Sequence, residues 1–253
     1  MKNQRTITKS SFKKILFCIK ISVFLSALGC ASQTEVQFPV NVGVKPESIT
    51  KGFGDNYYVT IMNGGEEGDG EIVEISAKGT KVFAQGFNEP KGIVYLKDHL
   101  YLSDLTKIWK VDKEGNASVF IDKKDFPEEV LYLNDVAVDA GKNGIYVTDM
   151  GATKYMRDEN NNLWPLGSEQ AKLVPQLGRI YHIDLEGNVS IAQNTSPLML
   201  NPNGVGVDNE GNIGSSYCQY EGYQDVTMED QTFPIEVQNE TYFKDISWTL
   251  SYD

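Results

Sequence analysis

The sequence predicts an all-β chain built from repeated four-stranded antiparallel blades, a β-propeller, and three observations carry that reading. An opening tetrapeptide recurs ahead of a short apolar strand: Pro46-Glu47-Ser48-Ile49, Pro90-Lys91-Gly92-Ile93, Leu133-Asn134-Asp135-Val136 and Pro202-Asn203-Gly204-Val205. In the first three copies a polar turn and a second strand follow: Tyr57-Tyr58-Val59-Thr60, Leu100-Tyr101-Leu102-Ser103-Asp104 and Ile145-Tyr146-Val147-Thr148-Asp149. A third shared strand (71–75, 107–112 and 179–184) runs each time to a glycine, Gly79, Gly115 or Gly187, and then to another short strand.

Alternating polar and apolar residues mark strands with one buried face. The glycines fall where a tight hairpin needs positive φ. Four short strands in about 40 residues is the arithmetic of a propeller blade. Glu47, Lys91, Asn134 and Asn203 occupy one position in successive copies, spaced 44, 43 and 69 residues apart. The long interval holds an insertion, 152–177, polar and with Trp164 and two prolines, which is expected to form a surface loop near the binding face. With 13 Tyr and 23 Gly and no long Ala/Leu/Glu/Lys runs, composition also favours strands and turns over helices. A sandwich or solenoid would not need the same pattern three times over.

The pattern weakens after Asp208-Asn209-Glu210-Gly211-Asn212-Ile213. Where a strand like Tyr-Val-Thr is due, the chain reads Gly214-Ser215-Ser216-Tyr217-Cys218. The blades are therefore assigned to 41–223 and an unmatched tail to 224–253. About three and a half blades are recognised, too few to close a ring readily, and the expectation is that the chain is a truncated or frame-disrupted product of a longer gene.

The first 30 residues read as a targeting signal. Lys2 to Lys14 is basic, Ile15 to Leu28 is apolar but short and interrupted by Lys20, and Ala27-Leu28-Gly29-Cys30 resembles a bacterial lipobox. Cys30 is the expected lipidation site, 31–40 a polar tether, and the bacterial cell envelope the expected location, with contact to the membrane only through that anchor. The net charge is −12, and residues 1–29 contribute only basic groups. The remaining body is strongly acidic, which disfavours nucleic acid as a partner and concentrates cations. No nucleophile motif accompanies His99 and His182, which sit inside strand patterns and read as structural.

In a propeller the first strand of each blade lines the central channel, so equivalent positions converge. Glu47, Asn134 and Asn203 then supply a carboxylate and two amides, hard oxygen donors suited to Ca²⁺ or another divalent cation. Lys91 breaks the set and is expected to point away from it or stay at a distance. Each Asn taken alone is also an ordinary turn residue.

Those residues and their order resemble the senescence-marker-protein/gluconolactonase family of six-bladed propellers, which includes regucalcin and is similar to the paraoxonases and diisopropylfluorophosphatase. The resemblance covers about residues 40–213. It implies a channel metal held by a first-blade Glu (Glu47), a third-blade Asn (Asn134) and a fourth-blade Asn (Asn203), with no ligand from the second blade. It implies metal-dependent hydrolysis of a lactone or ester, with Tyr132 and Asp135 as candidate substrate contacts, although Asp135 serves equally as a turn cap. Two departures stand out. The fifth-blade Asp has no counterpart in context, since Asp225, Asp230 and Asp245 lie in the tail, which leaves room for an inactive chain. Tyr132 stands where sugar-lactone members carry Arg. The competing expectation is a non-enzymatic propeller that binds a ligand or protein at the cell envelope.

Overall fold

The computed structural model describes residues 39–151, 158–160, 162, 164–165, 168–195 and 201–217. The expected signal with Cys30, nearly all of the tether, and the tail lie outside the described residues.

Three four-stranded antiparallel sheets and one two-stranded sheet follow in chain order. The first holds β1 (Pro46–Lys51), β2 (Tyr57–Ile61), β3 (Gly70–Ser76) and β4 (Gly79–Phe87). The second holds β5 (Pro90–Leu96), β6 (His99–Asp104), β7 (Lys107–Val111) and β8 (Ala117–Ile121). The third holds β9 (Leu133–Val138), β10 (Gly144–Asp149), β11 (Arg179–Asp184) and β12 (Val189–Gln193), and the fourth pairs β13 (Pro202–Val207) with β14 (Ile213–Tyr217). Strands lie in sequence order within each sheet, and the first strands β1, β5, β9 and β13 are neighbours in turn. That arrangement is a series of propeller blades with an inner ring of first strands.

The strands form where alternation places them, and the hairpin glycines Gly79, Gly115 and Gly187 have φ of 113°, 86° and 90°, a region that costs a side chain but not glycine. One expectation is corrected. Ile213–Tyr217 is a strand, β14, paired to β13 with Val205 opposite Ser215. The glycine and serines there have weak strand preference, so tertiary pairing rather than local propensity sets the strand.

Apolar side chains fill the spaces between blades. Tyr58, Ile72, Phe87, Ile93, Leu100 and Leu102 pack the first blade onto the second, and Leu96, Tyr101, Ile108, Leu133, Ile145 and Tyr181 pack the second onto the third. The other face of the first blade, with Val59, Ile61, Val73 and Ile75, is covered by Val40 and Val42. Alternate residues of each strand serve the two faces, which is why these strands carry long apolar stretches.

Two devices repeat around the inner ring. Each first strand carries one extra residue relative to its partner: Pro46 pairs with Ile61 and Ile49 with Val59, and the same three-against-two step recurs at Pro90/Ile93, Leu133/Val136 and Pro202/Val205. This is a β-bulge, which bends the strand and re-aims side chains. The second device is a hydroxyl on the second strand. Thr60 Oγ1 donates to the Lys91 carbonyl (2.6 Å), Ser103 Oγ to the Asn134 carbonyl, and Thr148 Oγ1 to the Asn203 carbonyl (2.8 Å). Within their own blades, Thr60, Thr148 and Ser216 accept from the N–H of Ser48 (3.1 Å), Asp135 (2.9 Å) and Gly204 (2.9 Å). Thr60 and Thr148 thus join the bulge of one blade to the bulge of the next, and Ser103 joins the second strand of its blade to the bulge of the third.

Thr60, Ser103 and Thr148 are fully buried, so no water substitutes for them. Removing the hydroxyl of Thr60 or Thr148 leaves a carbonyl and an N–H unpaired, at about 1–3 kcal/mol. We expect Thr148→Val to lower stability by about 2 kcal/mol in urea unfolding, and Thr80→Val, at an exposed position of β4, to leave it nearly unchanged. Equal stability of Thr148→Val and the wild type would contradict the linking role.

Candidate functional site

Glu47, Lys91, Asn134 and Asn203 are the second residues of β1, β5, β9 and β13, each inside its bulge. Register, bulge and inter-blade hydroxyl therefore place the four at one level of the inner ring. Loops that rim this end connect the second strand of each blade to the third and each blade to the next. The insertion between β10 and β11 belongs to this end too, and its described part includes a 3-10 turn, Ala171–Gln176.

The backbone ahead of β5 and of β9 is clamped by an aspartate. Asp104 accepts from the N–H of Asn88 (3.0 Å) and Glu89 (2.7 Å), and Asp149 accepts from Leu131 (3.1 Å) and Tyr132 (2.9 Å). Glu89 and Tyr132 hold equivalent positions, two residues before Lys91 and Asn134. The clamps bring them together: the Tyr132 hydroxyl donates to Glu89 Oε2 at 2.5 Å. Burial first, then the Glu89 carboxylate, raises the Tyr132 phenol well above its ordinary value, so it remains a neutral donor.

Lys91 does not point away. Its side chain is buried, with Nζ 3.8 Å from Glu47 Oε1, 3.2 Å from Met62 Sδ and 5.2 Å from the centre of the Tyr132 ring. The expectation failed because it treated the ammonium as an intruder among cation ligands, whereas Glu47 and the face of Tyr132 supply a favourable field for it. The neighbouring Gly92 explains how β5 comes so close to β9, since a Cβ at that glycine would lie 2.6 Å from the Val136 N.

Asn134 is buried, and its Nδ2 donates to Met150 Sδ at 3.3 Å. That bond turns the amide nitrogen to the methionine and leaves Oδ1 as the free end; among the described residues it accepts no hydrogen bond. Asn203 is half-buried, and its carbonyl is the acceptor for Thr148. Asp135 uses one oxygen for the N–H of Val136 (2.9 Å) and the other for the N–H of Val205 (2.9 Å) on β13. Of the two roles open to Asp135, this geometry supports the capping one, here extended into a tie between blades. His182 Nε2 lies 2.9 Å from Asp139 Oδ2 and His99 Nδ1 3.1 Å from the Lys97 carbonyl, each in a contact at the hairpin end away from the clamps.

The donor set fits a hard divalent cation in kind: one carboxylate oxygen pair at Glu47 and amide oxygens at Asn134 and Asn203. Sequence reasoning located those three through the repeat. It missed Met62 and Met150, which read as ordinary core residues, and Glu89, which carries no repeat signal. The hydroxyls Thr60, Ser103 and Thr148 were visible as a column in the aligned second strands.

The sequence matches no family model and none of the curated proteins. Solved structures do resemble the fold. One, provisionally assigned as a gluconolactonase, superposes with a TM-score of 0.53 at 14% identity, over 74% of this chain and 60% of the other. The chain has the blade fold of gluconolactonase-type β-propellers. A gluconolactonase from Xanthomonas campestris gives 0.46 at 14% identity over 70% of this chain and 71% of the other. A Thermus thermophilus protein provisionally assigned as a glucose dehydrogenase gives 0.49 at 12% identity over 72% and 60%. This chain thus spans about three fifths of the length of the first of these propellers.

Asp149 offers a check on this framework. Burial is the main cause that raises its carboxyl above the ordinary value, against the N–H donors that lower it. The folded chain then holds that proton more tightly than the unfolded one. The stabilisation is complete below the unfolded carboxylate pKa and is lost as pH rises through the raised folded value. In urea unfolding across the acid range, the stability of the wild type relative to Asp149→Asn should therefore fall as pH rises. A relative stability that climbs over the same window would contradict the burial argument.

Proposed function

We propose that this propeller end is the site of a calcium-dependent hydrolase of lactones or related esters. The observation that carries the reading is the placement of Glu47, Asn134 and Asn203 at one register position of adjacent inner strands, each in the same bulge. Glu47, Asn134 and Asn203 would hold the cation. A bound Ca²⁺ supplies Lewis-acid polarisation of a carbonyl oxygen and an acidified water.

The residues of the chain do the positioning. Asn134 is held by Met150, so its oxygen is preset before a ligand arrives, and preset dipoles need no rearrangement during reaction. The Tyr132–Glu89 pair walls the same end and presents a neutral phenol and a carboxylate to a substrate's hydroxyl groups. Thr148 fixes the backbone of Asn203, and Asp135 fixes the following strand through Val205. A substrate with several hydroxyls would suit this rim, because the Glu89 carboxylate and the Tyr132 phenol oxygen both accept hydrogen bonds.

One observation favours the competing reading of a non-catalytic binding propeller: Lys91 lies against Glu47 and offsets its charge. A single experiment separates them. Hydrolysis of a panel of five- and six-membered sugar lactones should require Ca²⁺, stop on chelation, and be lost in Glu47→Gln and in Asn203→Ala. Saturable lactone binding without turnover, unaltered by chelation, would establish the binding propeller instead.

A further inference from the structure

The inner ring holds a buried ammonium ion beside the one carboxylate among the proposed ligands. The Lys91 side chain is 8% exposed and its Nζ stands 3.8 Å from Glu47 Oε1. An ammonium carries three donors. Here its close partners are a thioether sulfur at 3.2 Å, a weak acceptor, the carboxylate at longer range, and the face of the Tyr132 ring. The group is thus held by charge more than by hydrogen bonds.

Its backbone is fixed on both sides. The Lys91 carbonyl accepts from the buried Thr60 hydroxyl, and Gly92 is pressed against β9 so closely that a Cβ there would lie 2.6 Å from both Asp135 Oδ1 and Val136 N. Only the side chain has freedom to move. Its position in the blade repeat is that of Glu47, Asn134 and Asn203.

The geometry points to Lys91 as the resident cation of the channel: it pairs with Glu47, and a divalent cation binds only by displacing the ammonium from that carboxylate. This rests on the metal reading above. Two positive groups that share one carboxylate repel each other at this range, strongly on the side of the buried Lys91 and screened in part by the water that reaches Glu47, whose side chain is 32% exposed. Calcium affinity also follows the negative charge of the ligand set, and Lys91 offsets the one anion in it. The consequence is a site tuned to weak, high-threshold binding.

The test is calorimetric titration of Ca²⁺ into the full chain, for wild type, Lys91→Met, Lys91→Gln and Lys91→Arg, each with and without Glu47→Gln. Circular dichroism checks that each variant keeps its sheet, and Lys91→Gln serves if the methionine variant does not fold. Both neutral variants should bind Ca²⁺ at least about tenfold more tightly than the wild type, Lys91→Arg should stay as weak, and Glu47→Gln should remove the gain. Neutral variants that bind no more tightly than the wild type, with binding still lost in Glu47→Gln, would overturn the displacement and leave the metal site standing. Binding that ignores Glu47→Gln throughout, or no binding in any variant, would overturn both.

Discussion

The arrangement depends on one interaction repeated around the inner ring, a buried hydroxyl that joins consecutive blades. Thr60, Ser103 and Thr148 each donate to the carbonyl of the next blade's bulged residue, and Thr60 and Thr148 also accept from an N–H of their own. A bulge leaves backbone groups without ladder partners, and a buried unpaired group is expensive. The hydroxyl meets both costs at once. It also fixes the distance between neighbouring bulges, and with it the height at which Glu47, Lys91, Asn134 and Asn203 stand.

A second layer rests on the first. Asp104 and Asp149 gather the N–H groups just ahead of β5 and β9, which sets Glu89 and Tyr132 side by side one step above the bulges. The blade cores supply the bulk of the burial, yet they specify nothing about the channel. Specificity comes from the hydroxyls of Thr60, Ser103 and Thr148 and the carboxylates of Asp104 and Asp149, each bonded to a named backbone partner.

Much of the fold was legible because repetition multiplies weak signals. A lone Pro-Asn-Gly is only a turn, but four tetrapeptides in one register, followed by three second strands and three hairpin glycines, leave few architectures. The shared register position of Glu47, Lys91, Asn134 and Asn203 was legible for the same reason. What escaped had physical causes. β14 escaped because Gly214, Ser215 and Ser216 lack the apolar alternation on which strands are recognised, although Ser216 takes the structural place of Thr148. Lys91 escaped because charge reasoning at the level of sequence set it against a cation, whereas the fold gives it an anion and an aromatic face. Met62 and Met150 escaped because methionine in a strand-end pattern reads as core, and their role as acceptors for Lys91 and Asn134 appears only with the neighbouring blade in place.

The claim most exposed to refutation is that rotation of a four-stranded unit brings Glu47, Asn134 and Asn203 to a common point. Anomalous diffraction from crystals of the chain soaked in a saturating lanthanide tests it most directly. The account predicts one strong anomalous peak within about 2.3–2.6 Å of oxygens from all three residues. A peak bound by one of them alone, or none in the inner ring while the blades remain ordered, would contradict it.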